Sequence, residues 1–318
     1  MTFTDWLSET AFKMSEYGVW DGTQSAAYDF WGGFARRTCH GLGLDSAGTP
    51  VYEREWDVLV LLDTCRVDVL QEVAEEYHFV PAKVPTFTSL GSTSWEWLHD
   101  NFVPAYADEI ASTAYVTANA HTKRFGDEFL VDSDAFNLLD EVWRYAWDNE
   151  FGGIQPRSVT DRAIRVARDY DPERLIVHYM QPHTPYRSLE RFAPEAARKL
   201  ASDGEKTVWD LLQMNNLDYA SVWSAYRDNL RWVLDEVDLL INNVDADRLV
   251  ISSDHGEAFG EWGLYGHYRH VPIQVLKNVP WVELTAVDSG EYEPTVESRS
   301  VEMSDDDVEQ RLNALGYK

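Results

Sequence analysis

The stretch from Leu249 to His267, reading LVISSDHGEAFGEWGLYGH, constrains the fold of this chain more than any other. Leu249-Val250-Ile251 is a short apolar run of the kind that forms a strand covered on both faces. It meets Ser252-Ser253-Asp254-His255-Gly256, which sets a carboxylate and an imidazole side by side where the strand ends. In an open α/β sheet, ligands bind beyond the carboxyl ends of the strands. An adjacent Asp and His there suit a divalent metal: hard oxygen and borderline nitrogen, both able to coordinate near neutral pH. Gly256 is expected to let the backbone turn sharply away. An isolated Ser-Asp-His-Gly would read as a polar turn, so the site reading depends on what the rest of the chain supplies.

Other segments repeat the pattern of strand followed by helix. Trp56 to Leu62 reads as a buried strand ending at Asp63, with helical spacing from Arg66 to Tyr77. Thr93-Ser94-Trp95-Glu96 has the form of a capping box and opens another helix. Ala114 to Thr117 and Leu175 to Tyr179 read as further strands. Helices are expected through Leu138, Val142 and Tyr145, and from Ser158 to about Tyr170, the latter capped by Ser158 and Asp161. The longest helix is expected from Val208 to Ile241, feeding straight into the strand before Asp254, and Pro272 to Leu276 is read as an outer strand. Strands alternating with helices predict a mostly parallel, doubly wound sheet with helices on both faces. Residues 1–50 read as an N-terminal extension packed on the main domain, 51–285 as the catalytic domain, and 286–318 as a polar connection with a closing helix from Ser304 through Leu315.

Composition narrows the partners. The formal charge of −28 argues against nucleic acid or an anionic membrane as a bulk partner. Of the 27 basic residues, 20 are Arg and 7 are Lys, and scarce Lys amid abundant Asp and Glu points to a halophilic protein kept soluble in concentrated salt. The longest aliphatic run, Val58 to Leu62, is too short to span a bilayer. With no basic region opening the N-terminus, the chain is expected to be cytoplasmic. Cys39 and Cys65 make neither a disulfide framework nor a zinc pattern.

Asp63, Asp254 and His255 all fall at expected carboxyl ends of strands, so one sheet edge can gather them around a single ion. Asp63 could equally cap the helix that follows it. The run Thr86-Phe87-Thr88-Ser89-Leu90-Gly91-Ser92-Thr93-Ser94 is the candidate nucleophile loop, because a hydroxyl at a helix N-terminus sits among N–H groups that favour negative charge. A bound metal would lower the hydroxyl's pKa. The sequence barely ranks Thr93 above Ser92 and Ser94. His183, between Pro182 and Pro185, and His267 are candidates to hold an ester oxygen or protonate a leaving group. Arg66 offers a planar fork for phosphate or sulfate. His178, inside a strand, reads as structural.

Together these pieces resemble the alkaline phosphatase superfamily and, within it, the sulfatase-like hydrolases. WDVLVLLDTCRVD at 56–68, HYMQPHTPY at 178–186 and SSDHGEAFGEWGLYGH at 252–267 fall in the family's order, and the acidic composition is similar to that of haloarchaeal members. The resemblance implies that Asp63, Asp254, His255 and the nucleophile Thr93 bind a metal, with His183 and His267 contacting substrate, or a second metal in two-metal members. It implies an enzyme that hydrolyses or transfers a phosphate or sulfate ester through a hydroxyl nucleophile. The expected cofactor is one divalent ion (Mn, Mg, Ca or Zn), and the expected partner a small-molecule or glycan- or lipid-linked ester. Cys65 lies outside any C/S-x-P-x-R motif, so formylglycine is not expected. Tyr179 stands where two-metal members carry Asp, which favours a single ion. The alternative is a catalytically inactive relative that keeps the fold as a binding or scaffold module.

Overall fold

The computed structural model describes residues 14, 19–43, 47–202, 207–214, 216–299, 303, 304, 307–309 and 311. Its centre is a six-stranded sheet. In chain order the strands are β1 (Val58–Leu62), β2 (Thr113–Thr117), β3 (Leu138–Glu141), β4 (Arg174–Tyr179), β5 (Ala246–Ser252) and β6 (Val282–Ala286). They lie side by side as β6-β5-β1-β4-β2-β3. The first five run parallel, and β6 closes one edge antiparallel to β5. This is the mostly parallel sheet with helices on both faces that the strand–helix alternation predicts.

Every residue of β1 is buried, because both faces of the sheet are covered. Val58, Val60 and Leu62 enter one core with helices α4 (Pro156–Tyr170) and α5 (Tyr219–Ile241). Leu59 and Leu61 enter a second, aromatic core with Trp97 and Leu98 of α3 (Ser94–Asn101). The alternation of side chains along a strand assigns each residue to its face. Helix α1 spans Val19–Gly41 and α2 spans Val67–Val73.

Several expected elements differ. Leu138–Glu141 is strand β3, followed at once by a one-turn helix, Val142–Tyr145. The two butted together mimic helical spacing, but parallel pairing with β2 decides the first half. Helix α4 begins at Pro156, a residue suited to a first helical position. Asp161 is no cap: it is fully buried and accepts hydrogen bonds from the Tyr292 hydroxyl, Thr295 and the Val296 amide. It thereby ties the segment after β6 to the domain. The expected single helix from Val208 is two, Val208–Gln213 and α5, the second capped by Asp218 accepting from the Ser221 amide at 3.0 Å. Within 272–276 the chain starts a short helix, Gln274–Lys277, and the outer strand is β6 instead. The closing helix expected from Ser304 lies largely outside the described residues.

Candidate active site

Four of the parallel strands deliver their ends to one place. Asp63 follows β1, Asn119 follows β2, His178 is the penultimate residue of β4, and Asp254 and His255 follow β5. Asp63, His178, Asp254 and His255 are all fully buried. Ligand-type atoms of Asp63, His178 and Asp254 lie within 4.8 Å of one another. His255 Nε2 is 3.7 Å from Asp63 Oδ1 and 3.5 Å from Asp254 Oδ2.

Backbone geometry fixes these side chains. Asp254 Oδ1 accepts from the His255 amide at 2.9 Å and the Thr64 amide at 3.3 Å, which aims Oδ2 at the cluster. Thr64 takes a positive φ of 66°, and its carbonyl accepts from the Tyr226 hydroxyl at 2.6 Å, so the long helix α5 holds the turn after Asp63. His255 donates its Nδ1 proton to the Gly256 carbonyl at 2.8 Å, leaving the Nε2 lone pair toward the carboxylates. Gly256 is required for space and not for a left-handed turn: a Cβ there would stand 1.9 Å from the Val275 carbonyl oxygen.

His178 is the main departure from the sequence reading. Its place on the α3 face of β4 puts Nε2 3.6 Å from Asp254 Oδ2 and 3.9 Å from Asp63 Oδ2. Its Nδ1 is 2.8 Å from the Tyr115 hydroxyl; donation to that oxygen leaves Nε2 facing the carboxylates. Neither His178 Nε2 nor Asp254 Oδ2 has a hydrogen-bond partner, although both are buried. Buried polar atoms without partners are costly, and carboxylate oxygens converging with imidazole nitrogens are the donor set of a divalent cation. The residues present therefore fit a metal ion. Ionised Asp254 is favoured: burial opposes its charge, but His255 and His178 outweigh that and hold its pKa below the ordinary range.

The hydroxyl at this cluster is Ser94's. Ser94 Oγ lies 3.2 Å from Asp63 Oδ2 and 3.3 Å from His255 Nε2, and Asn119 Nδ2 donates to the same Asp63 oxygen at 3.1 Å. Thr93 is the N-cap of α3, and its hydroxyl turns to Glu96, whose amide it accepts at 3.3 Å. The expected capping box is only half formed, since Glu96 Oε2 takes the Ser92 amide and hydroxyl. One residue along a helix rotates a side chain by about 100°, so capping and facing the cluster fall to neighbours.

His183 and His267 stand beside this cluster. The His267 ring is 4.6 Å from that of His255 and 5.4 Å from that of His183. Glu257, absent from the sequence reading, bonds His267 Nδ1 at 2.9 Å and groups with both histidines. Burial alone would lower the His267 pKa, but the Glu257 carboxylate raises it overall. Burial, then the neighbouring His267, pushes His183 down to about 4. His183 donates from Nδ1 to the Thr184 carbonyl at 2.7 Å, and Asn229 of α5 donates to the His183 and Pro185 carbonyls, clamping the loop.

Arg66 is not placed to receive an anion. Its guanidinium is bidentate to Asp68 at 2.9 and 2.6 Å and also meets Glu261 at 2.7 Å and the Glu257 carbonyl at 2.9 Å. Cys65 is wholly buried, and burial, then Asp68 and Asp254, pushes its thiol far above the ordinary range. It is an inert core thiol.

The sequence model of the sulfatase family matches residues 102–281, more than half of the chain. The chain belongs to the sulfatase family. That places it in the alkaline phosphatase superfamily, with the fold described above. No curated protein matches it. Among solved structures, the soluble domain of lipooligosaccharide phosphoethanolamine transferase A from Neisseria meningitidis is similar at 17% identity, over 74% of this chain and 80% of that one, with a TM-score of 0.45. The C-terminal periplasmic domain of EcEptC from Escherichia coli, in complex with Zn, shares 14% identity over 76% of this chain and 77% of that one, at a TM-score of 0.45. A putative sulfatase from Bacteroides thetaiotaomicron shares 11% over 72% and 64%, at 0.40.

Proposed function

We propose that this sulfatase-family protein is a metal-dependent enzyme that hydrolyses or transfers a phosphate or sulfate ester through the hydroxyl of Ser94. The observation that carries this reading is the convergence on one sheet edge of that hydroxyl with Asp63 and His255, beside Asp254 Oδ2 and His178 Nε2, which make no hydrogen bond. Asp63, Asp254 and His255 would hold one divalent ion, with His178 as the further nitrogen facing it. When bound, the ion supplies Lewis-acid stabilisation of the oxygens on phosphorus or sulfur and a lowered hydroxyl pKa.

The chain's own groups do the rest. Ser94 Oγ attacks phosphorus or sulfur, and Asp63 Oδ2, 3.2 Å away, is placed to take its proton. The bond to the alcohol breaks, and His267, protonated beside Glu257, returns a proton to the departing oxygen. Water, or an acceptor alcohol in a transferase, then displaces the group from Ser94. Deprotonated His183 and oriented Asn119 line the same space as acceptor and donor for the incoming nucleophile and the ester oxygens. Cys65, buried and protonated, takes no part, so no formylglycine is used.

The test is turnover of chromogenic phosphate monoester, phosphodiester and sulfate ester by the full chain, after chelator treatment and after addition of Zn, Mn, Mg or Ca. One bound ion per chain and metal-restored turnover of at least one ester are expected. Full metal loading without turnover of any of them would overturn the enzyme reading in favour of an inactive binding module.

A further inference from the structure

Arg269 is a guanidinium without a counter-ion in a chain that has carboxylates to spare. Asp and Glu outnumber Lys and Arg by 55 to 27. Arginines elsewhere, such as Arg157, Arg162, Arg168 and Arg231, each hold a carboxylate. Arg269 is partly buried, and among the described residues it has no hydrogen-bond or ion-pair partner. Its guanidinium carbon lies 4.1 Å from the ring centroid of Trp95. Stacking of this kind uses the face of the guanidinium and leaves its in-plane N–H donors free, and that fork is the one that takes a carboxylate or a phosphate.

Two more arginines stand around it. Gly32, Arg36 and His40 of α1 recur every fourth residue and so share one helix face. A Cβ on Gly32 would stand 3.1 Å from the Tyr268 ring, and the His40 and His270 rings are 4.4 Å apart. Arg36, between those two contacts, is thereby turned toward Arg269. Arg124, in the turn after β2, pairs with Glu128, whose other carboxylate oxygen accepts from Trp95 Nε1 at 3.0 Å. Burial, then the charges of Arg124 and Arg36, lower the pKa of Arg269, and the carboxylates of Glu128 and Glu96 do not make up the difference. Both are already engaged, Glu128 by Arg124 and Trp95, Glu96 by Ser92 and the His270 amide. Like charges gathered at a partly buried place repel, and an oxyanion bound among them offsets that repulsion.

This cluster borders the candidate active site on more than one side. Trp95 directly follows Ser94, and Arg269 comes two residues after His267. Arg124 Nε donates to His121 Nδ1 at 3.3 Å, and His121 lies two residues beyond Asn119, which bonds Asp63. We propose that Arg269, backed by Arg36 and Arg124, forms a second anion-binding subsite, and that the substrate carries a further oxyanion, a carboxylate or a phosphate, away from the ester that reacts. Arg269 would thus fill the anion-binding role for which Arg66 is not placed. The subsite stands on the contacts above; its part in choosing the substrate rests on the function proposed in the preceding section.

The metal-loaded full chain is titrated calorimetrically with alkylphosphonates of graded length and with the same compounds ended by a carboxylate or a second phosphonate, none of which has an ester to hydrolyse. At least one two-headed ligand should bind about tenfold or more tightly than its single-headed counterpart. Arg269→Ala should erase that ratio, and Arg269→Lys should restore part of it as a point charge without the fork. Arg36→Ala, on the exposed side of α1, should reduce the ratio as well and decides the matter if Arg269→Ala does not fold. A gain in either series supports the subsite and names its oxyanion. No gain at any length, or a gain that survives in the Arg269 and Arg36 variants, overturns the proposal. If the single-headed ligands do not bind at all, the ester-site reading has failed, and inorganic phosphate titrated into the chelator-treated chain then decides the subsite by itself. Its affinity should fall about tenfold in Arg269→Ala; undetectable binding, or binding equal in the variant, overturns the subsite.

Discussion

Replacing Ser94 and Thr93 separately by alanine tests which hydroxyl attacks. Ser94 Oγ contacts Asp63 Oδ2 and His255 Nε2 at 3.2 and 3.3 Å, long bonds whose net worth is about 1 kcal/mol. Asp63 Oδ2 keeps its bond from Asn119 when the hydroxyl is gone, so the Ser94→Ala protein should remain folded and retain metal. Its turnover should drop by at least about a thousandfold, since Ser94 carries the hydroxyl that meets both Asp63 and His255; that factor corresponds to about 4 kcal/mol of barrier. Thr93→Ala removes a cap bond of 3.3 Å to the Glu96 amide and should cost about 1 kcal/mol of stability, lowering the melting midpoint by about 2 °C. Turnover of that variant should stay within about threefold of wild type, since its hydroxyl faces Glu96 and not the carboxylates. The assay is initial-rate hydrolysis of the best chromogenic ester by metal-loaded protein, alongside thermal melts and elemental analysis. Peptide mass spectrometry of trapped protein should place the adduct on Ser94. An inactive, metal-loaded Thr93→Ala with an active Ser94→Ala would refute the geometric argument.

Tyr115→Phe, which removes only the oxygen 2.8 Å from His178 Nδ1, should weaken metal binding about tenfold; competition against a chelating dye measures it, and unchanged affinity would separate His178 from the metal. Arg66→Ala should cost on the order of 2 kcal/mol of stability through the lost packing and hydrogen bonds of a buried guanidinium, since Asp68 and Glu261 stay open to solvent, seen in denaturant unfolding; a raised KM with full stability would restore Arg66 as an anion-binding residue. The acidic, Lys-poor composition is proposed to be a halophilic adaptation, so the melting midpoint should rise between dilute buffer and multimolar KCl, and a flat midpoint would give the acidity another cause.

The strands that build the site were readable because their signal is one-dimensional. A run such as Val58–Leu62 has no polar residue to spare for solvent, and an Asp immediately after it can only stand at the strand's end. What the sequence does not carry is direction. His178 looked structural because it lies inside a strand, but its parity with Ile176 points it to the α3 face, at the end of the sheet where Asp63 and Asp254 emerge. Thr93 and Ser94 are equally good hydroxyls by composition; only the position of the first helical turn separates cap from site. Glu257 and Asn119 lie close in sequence to recognised features, two residues after His255 and two after β2, and a search of every strand end for polar side chains would have raised both. Arg66 failed for a different reason: its suitability for an anion was judged without Asp68, whose carboxylate reaches the same fork from two residues away.

Charge balance supports the proposal that these groups hold a cation. Asp63, Asp254 and Glu257 are three carboxylates with no exposure to solvent. Burial is the largest influence on His255 and His183 and holds both rings toward the neutral form. Burial opposes the charged form of His267 as well, but Glu257 outweighs it and moves that ring toward the charged form. The arrangement therefore sets the Glu257–His267 pair beside two further buried carboxylates, Asp63 and Asp254. Gathering carboxylates of one sign in a buried site costs stability. In the proposed enzyme a divalent ion held by Asp63, Asp254 and His255 would offset that cost, with His178 Nε2 facing it. In the proposed reaction the Glu257–His267 pair would keep a proton for the leaving group.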